Sequence, residues 1–536
     1  MNQHTRTAAE RDLSMKKAYL VGAGIASLAS AVYLIREGHL LGEHIHIFEE
    51  TGEIGGSLDA QGSPETGYVM RGGRMFDEEA YTSMYDLLAS IPSLRDPEKT
   101  VKQEMFEFNQ KMWTHSNSRL VEHGKRVDVS SPGFSQRDRL DLIKIMLVSE
   151  ESLATRRIEE CFAPSFFETN FWSMWCTTFA FQPWHSAVEF KRYLHRFLHE
   201  FPRISTLAGV RRTPYNQHDS IVLPVVQWLT DQGVHFEMNC QVIDLDFLPS
   251  EREKTVERMH LLRDGQHEEI AITPDDLVFV TNGSMTAGAS YGSMTAAPGI
   301  GTKQQGGSWM LWETLAQKYP DFGRPSVFDD RIAESKWLSF TVTFHDPAFF
   351  QLVEEFTNNT PGTGGLVTFK DSNWLMSVVL PHQPHFLTQP ENVKVCWGYG
   401  LFPDKKGDFV HKKMSDCTGE EILTELCSHL RFTEAMPRIL ETSTCIPVMM
   451  PFITSQFLTR AKGDRPQVVP EGSTNLAFTG QFCEIPDDVV FTVEYSVRSA
   501  QIAVYTLLKL EKEVSPLYKG QYDPHVLVDS IKTMFM

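Results

Sequence analysis

The stretch 17–57, KAYLVGAGIASLASAVYLIREGHLLGEHIHIFEETGEIGGS, restricts the possible folds more than any other part of the chain. Residues 17–21 are a short apolar run with the content of a buried parallel strand. Gly22-Ala23-Gly24-Ile25-Ala26-Ser27 then leads into a helical pattern with Leu28, Val32 and Ile35 on its inner face. A second strand, 44–48, completes a βαβ unit and runs into Glu49 and Glu50. This order predicts dinucleotide binding. Gly22 permits the tight turn, Gly24 lets backbone N–H groups such as that of Ala23 approach a pyrophosphate, and the helix N-terminus adds positive partial charge. A carboxylate at the end of the second strand, Glu49 with Glu50 beside it, is placed to accept hydrogen bonds from ribose hydroxyls.

Ser27 replaces the third glycine of the fingerprint, at a place that requires a small residue for close helix–strand packing. Gly55-Gly56-Ser57 follows, a second glycine turn of the kind that flavoproteins similar to the amine oxidases place beside the FAD diphosphate, and it favours FAD over NAD. A strand then enters a third turn, Arg71-Gly72-Gly73-Arg74. Gly56, Ser57, Arg71, Gly72 and Gly73 therefore join the expected cofactor-binding residues. Asp77-Glu78-Glu79-Ala80 reads as the start of a helix through Ile91, with Asp77 as N-cap and acids in the first turn. Far along the chain, a strand at 276–281 ends in Asn282-Gly283-Ser284. Another strand, beginning at 477, runs into Gly480 and Glu484. Phe491 lies at the start of a long helix, 489–510, whose N-terminus offers a second dipole. Ser284, Gly480, Glu484 and Phe491 complete the cofactor set.

At 536 residues the chain exceeds one core, so several domains are expected. A net charge of −19 argues against nucleic acid, whose phosphates require concentrated Lys and Arg, and against strong attraction of the whole molecule to an anionic membrane. The N-terminal 17 residues are polar and lack the apolar core of a secretory signal, and no run reaches the length of a transmembrane helix. Eight cysteines lie scattered without a C-x-x-C pair, as in a cytoplasmic protein with reduced, buried thiols. No metal site is expected.

The fold class expected is α/β: a discontinuous FAD-binding Rossmann-like domain, a mixed-sheet substrate domain and a helical lid. The nucleotide domain comprises 16–95, 225–310 and 472–512, because the 276–281 strand reads as returning to the first sheet. Residues 130–224 form the helical lid and substrate-pocket region. Leu140, Ile143 and Leu147 are expected on one helical face there, and Phe166, Phe167, Phe171, Trp172, Trp175 and Phe179 make an aromatic tract that serves as core or as pocket lining. Residues 286–308, rich in Gly, Ala and Ser, read as a flexible loop. Alternating runs at 338–344, 366–369, 374–380 and 393–398 predict a sheet within a substrate domain, 311–471. A C-terminal helical segment, 513–536, places Leu527, Ile531, Met534 and Phe535 on one face, expected to pack on the protein's own core.

Several strings in one order, FEE and GGSLD (48–59), RGGR (71–74), TNFW (169–172), EFKRY (189–193), YNQ (215–217), TNGSMT (281–286), QPHF (383–386) and FTVEYSVR (491–498), make the chain similar to the fatty acid double-bond hydratases. This is the oleate hydratase group, also called myosin-cross-reactive antigens, and the similarity spans Lys17 to Met536. The resemblance implies an FAD-dependent, redox-neutral addition of water to the cis-9 double bond of oleate, giving 10-hydroxystearate. It implies an unsaturated long-chain fatty acid as partner, at most peripheral membrane contact, and a monomer or homodimer. The family's proton-donating Tyr matches Tyr193, whose hydroxyl is protonated at neutral pH.

The chain departs from the family pattern at both ends of the reaction. The family's water-activating Glu directly follows RGGR, and here Met75 stands there, a thioether that takes no proton from water. Asp77 and Glu78, close behind in a longer loop, are the nearest acids; the alternative is water held by backbone and flavin groups. At the carboxylate end Gln217 matches the family's Gln, but of its Thr-x-Asn-x-x-x-His string only His385 remains, Val379 and Pro381 having replaced the two donors. Two other readings stay open: a redox flavoenzyme of the amine oxidase or desaturase type, and a flavin- and fatty-acid-binding protein without turnover.

Overall fold

The computed structural model describes residues 16–73 and 75–536; the N-terminal stretch read above as no signal, and Arg74, lie outside the described residues. Five parallel strands form one sheet in the order Leu476–Thr479, Leu277–Thr281, Ala18–Val21, Ile45–Phe48, His235–Glu237. All four residues of the central Ala18–Val21 strand are buried, as a strand covered on both faces requires. The expected strand return is thus present: Leu277 pairs with Ala18 across 259 positions of sequence. Helix Ile25–Arg36 buries Leu28 and Val32, and it packs against the long helix Val493–Leu507. Alanines and serines in both helices allow that close approach.

A second, eight-stranded sheet runs in the order Ser290–Tyr291, Ser443–Met450, Trp337–Phe344, Lys394–Gly400, Met376–Val379, Leu366–Phe369, Leu120–Glu122, Lys125–Arg126. It is antiparallel except where Leu366–Phe369 lies parallel to Leu120–Glu122. The four alternating runs of the sequence are its centre. Two side chains tie this sheet to the glycine-rich segments: Thr343 Oγ1 accepts from Tyr68 N at 2.8 Å and Thr341 Oγ1 accepts from Met70 N at 3.1 Å. Strand Gly67–Met70 therefore delivers Arg71-Gly72-Gly73 and Met75 to the space between the two sheets.

Three local expectations are corrected, and a fourth, the shared face of Leu140, Ile143 and Leu147, holds but turns outward. The helix after the third turn begins at Thr82, and Asp77 does not cap it. Glu494, from the long C-terminal helix, accepts from Ser83 N at 3.0 Å and Met84 N at 2.8 Å, so a carboxylate 410 residues away does the capping. Helix Gln136–Leu147 buries Leu142 and Ile145 and leaves Leu140, Ile143 and Leu147 exposed. Its orientation is fixed by Asp138, buried while accepting from Ser135 N at 2.8 Å in a capping box. Residues 286–308 are not one flexible loop: Ser290–Tyr291 is an edge strand and a helix starts at Gly307. In the C-terminal helix Pro524–Met534, Ser530 and Met534 face inward, whereas Leu527, Ile531 and Phe535 are exposed. No helix among the described residues is long and apolar enough to cross a membrane.

Candidate active site

A cavity of about 550 Å³ lies beyond the C-terminal ends of the parallel strands, where open α/β sheets bind ligands. Its floor is backbone. Gly22 has φ +91°, Gly55 +123° and Gly56 +58°, conformations that side chains rarely adopt, and Gly55 bridges Gly24. Helix Ile25–Arg36 starts at Gly24 without a side-chain cap, so its first N–H groups point at the cavity unobstructed. Glu49 accepts from Ala23 N at 2.8 Å and from Thr51 N at 3.0 Å, which pins its carboxylate at the cavity edge with acceptor capacity left over. Glu50 accepts from Gly307 N at 2.9 Å; burial, then the charge of Glu49, raises its pKa. Arg71 donates to Asp59 at 2.8 Å and to the Gly56 carbonyl at 2.8 Å, locking the second turn to the third. Ser57, Ser284 and Gly480 also border the cavity, and so does Ser308, whose buried Oγ has no partner among the described residues. An uncapped helix start, glycines under a backbone cradle and an unsatisfied hydroxyl together fit a dinucleotide.

Two smaller cavities, about 120 and 80 Å³, share Gly73, Met75, Thr178 and Phe491 as walls. The larger is bordered by Gly72, Trp337, Trp397 and Tyr399, and by Gln217, His385 and Arg212. Gln217 and His385 meet because Asn216 N donates to the His385 carbonyl at 2.8 Å. Burial holds the His385 imidazole neutral, its pKa lowered to about 3, and its Nδ1 has no partner among the described residues. The indole N–H groups of Trp337 and Trp397 are likewise buried without acceptors. The smaller cavity is bordered by Tyr193, Asp77, Glu200 and the rings of Phe179 and Phe197. Tyr193 is buried and donates to the Val490 carbonyl at 2.5 Å. That carbonyl precedes Phe491, a non-glycine residue at φ +71°, just before Thr492 caps the long helix.

The predicted residues thus divide into three groups. Gly22, Ala23, Gly24, Glu49, Glu50, Gly56, Ser57, Arg71, Ser284 and Gly480 all border the nucleotide cavity. Gly72, Gly73 and Phe491, expected with them, border the apolar cavities instead, alongside Met75. Glu78 and Glu484 border neither. Glu78 is exposed and paired with Arg211 at 2.7 Å. Glu484 is spent in a buried ion network, 2.9 Å from Arg192 and 2.9 Å from Arg460. Asp77 does reach the site, and its Oδ2 lies 2.8 Å from His199 Nε2 while Oδ1 accepts from Ala80 N at 2.6 Å. Of the aromatic tract, Phe166, Phe171, Trp172 and Trp175 are core, and Phe179 alone borders the smaller cavity.

With the site in view, comparison with known proteins decides the family. The family model described as "MCRA family" matches residues 15–505. The chain belongs to the MCRA family. It is 43% identical to the oleate hydratase of Streptococcus pyogenes serotype M49 (strain NZ131), over 95% of this chain and 88% of that protein. It is 36% identical to the linoleate hydratase of Lactiplantibacillus plantarum, over 97% of this chain and 98% of that protein. Among solved structures, an oxidoreductase from Methanosarcina mazei aligns at 11% identity with a TM-score of 0.49, covering 92% of this chain and 100% of its own.

Two residues of this MCRA-family site were not singled out by the sequence. Arg212 is half-buried; it donates to the Gly362 carbonyl at 2.8 Å, no carboxylate among the described residues pairs with it, and burial lowers its pKa to about 10. Arg119 nearby is buried and otherwise in the same condition, held by the Leu366 and Ile204 carbonyls and by Thr178. The signal for Arg212 was its adjacency to YNQ, but only the fold shows that no acid compensates it. The other residue is Glu200, in the turn after the Tyr193 helix and two helical turns from the tyrosine.

Proposed function

We propose that this protein is an FAD-dependent hydratase that adds water across the cis-9 double bond of oleate and related unsaturated fatty acids, giving 10-hydroxy fatty acids. The observation that carries this reading is the pair of adjoining apolar cavities, one with a half-buried, uncompensated guanidinium and the other with a buried tyrosine hydroxyl. A fatty acid has the matching anatomy: an anionic head, and a reactive alkene many carbons away. Arg212, with Gln217, would take the carboxylate, and the neutral His385 contributes its remaining ring nitrogen; in an enclosed site such charge-assisted hydrogen bonds are strong. The chain then passes Met75, Thr178 and Phe491 to place the alkene beside Tyr193.

The segments 16–95, 225–310 and 472–512 form a Rossmann-like body that holds FAD through Gly22, Gly24, Glu49, Ser57, Arg71, Ser284 and Gly480. Held there by these residues, the flavin would supply a planar ring with hydrogen-bonding edges beside a reaction in which no net electrons are transferred. The catalytic work falls to side chains. Tyr193 gives its phenolic proton to one alkene carbon, and water adds to the other as positive charge develops. The aromatic walls and the helices of 130–224 exclude bulk water.

The test is mass spectrometry of oleate and linoleate incubated with photoreduced, FAD-loaded enzyme in heavy-oxygen water. The expected product carries one added water with the heavy oxygen on carbon. A desaturated or keto product with bleached flavin would mean redox chemistry, and unchanged lipid would mean binding alone.

A further inference from the structure

Met75 leaves the site without an acid where the family places one, yet the smaller cavity has an acid on another wall. Glu200 lies in the turn Leu198–Arg203, is buried, and borders the same cavity as Tyr193 and Met75. Its surroundings are specific. Oε1 pairs with Arg203 and lies 3.6 Å from His199 Nε2, while Oε2 accepts no hydrogen bond among the described residues. The carboxylate rests directly on the Cα of Gly209, and a Cβ there would collide with both oxygens. The charged groups around it are Arg203, Asp77, His199 and Glu79. Asp77, the other acid on this wall, already serves Ala80 N and His199.

We propose that Glu200 is the base that accepts the proton of the attacking water, in place of the acid missing at Met75. This rests on the hydratase reading above. In the reaction the Tyr193 O–H bond breaks and its proton forms a C–H bond at one alkene carbon. Water oxygen bonds to the other carbon, and the water proton passes to Glu200 Oε2. Return of that proton from Glu200 to the tyrosinate through the cavity restores both groups, so the sum is alkene plus water to alcohol. Burial, opposed by Arg203 and reinforced by the charge of Asp77, pushes the Glu200 carboxyl up to about 7, where a carboxylate both exists at neutral pH and holds a proton it receives.

The test measures hydration and oleate binding of flavin-loaded wild type, Glu200→Gln and Glu200→Asp between about pH 5 and 9. Wild-type kcat is expected to fall on the acid side with a midpoint near pH 7, where the Glu200 carboxyl is pushed to about 7. Glu200→Gln is expected to lose roughly 10²- to 10⁴-fold in kcat together with that acid limb, with oleate affinity retained. Glu200→Asp should recover part of the rate and the limb. Should Glu200→Gln fail to fold, Gly209→Ala displaces the carboxylate sideways and is expected to lower kcat with little change in KM. In the Glu200→Gln background, Met75→Glu should restore activity, because it returns an acid to the shared wall of the two cavities. Glu200→Gln retaining more than about a tenth of wild-type kcat with the same acid limb overturns the proposal. So does a loss confined to melting temperature or KM, which is what a purely structural partner of Arg203 gives. A wild type that forms no hydroxy acid instead overturns the hydratase reading, so the two failures are distinguishable.

Discussion

The nucleotide cavity and the apolar pair of cavities are built on opposite principles. The first is made of backbone: positive-φ glycines, an uncapped helix start and one carboxylate pinned by Ala23 N. The second is made of side chains from segments more than 300 positions apart, Met75, Tyr193, Arg212 and His385, joined across two sheets and a helical layer. A backbone-built site is lost when a side chain fills the space of its ligand, but it asks little of chemistry. A side-chain-built site keeps its shape under conservative substitution and loses function one atom at a time.

The largest effect is expected at Gly24. Its Cα lies against Gly56, and among the described residues the only atom within 4 Å of an added Cβ is the Gly56 Cα at 3.9 Å. Gly24→Val should therefore fold, yet fill the path of a diphosphate and abolish both flavin absorbance and hydration. A yellow, stoichiometric Gly24→Val protein would mean that the backbone cradle is not the cofactor site.

Tyr193→Phe should come next, with kcat reduced by roughly 10²- to 10⁴-fold, the usual worth of a general acid, while flavin content holds. The variant also loses the hydrogen bond to the carbonyl of buried Val490, so a modest drop in melting temperature should accompany the loss of rate. Retention of more than about a tenth of the rate would move proton donation elsewhere.

The same contrast explains what could be read from sequence. Ten of the fourteen residues expected to bind cofactor border the nucleotide cavity, because their roles follow from local order: strand, glycine, helix, strand, acid. The exceptions are informative. Gly72 and Gly73 have the right composition, but strand Gly67–Met70 and its threonine partners carry them past the nucleotide cavity to the apolar side, where Phe491 also lies. Glu484 follows the right strand, yet Arg192 and Arg460 arrive from elsewhere and claim it. Asp77 has the pattern of a cap, but Glu494 occupies that role from across the sequence. Leu140, Ile143 and Leu147 have helical spacing, which fixes that a face exists and not which way it turns. Apart from that helix, long-range partners decided these cases, and periodicity carries no record of them.

Arg212→Gln should act on affinity rather than on chemistry. Hydrogen bonds to charged groups are worth about 1.5–3 kcal/mol, so oleate KM should rise roughly 10- to 100-fold with kcat less affected. Because no acid among the described residues compensates this guanidinium, its removal should leave the unliganded protein equally or more heat-stable. The uncharged oleyl alcohol should bind both proteins alike. Unchanged KM for oleate would place the carboxylate away from Arg212.

The smallest effect expected is that of Asp77→Asn, which separates support from catalysis in the side-chain-built site. Asn Oδ1 can still accept from Ala80 N, so the turn survives; what is lost is the charge facing His199 Nε2 at 2.8 Å. Burial alone would lower the His199 pKa, but the Asp77 hydrogen bond and the charges of Asp77, Glu200 and Glu79 raise it above the ordinary value. A histidine raised in the folded state contributes stability that is complete below its unfolded pKa of about 6.5 and is lost as pH climbs through the folded value. Asp77→Asn should therefore lower the melting temperature by about 1–3 °C near pH 6, and the difference from wild type should shrink by about pH 9. Hydration should fall by less than about tenfold, since Asp77 holds His199 and touches no reacting atom. A loss as deep as that expected for Tyr193→Phe, at unchanged melting temperature, would instead make Asp77 the group that takes the proton from water.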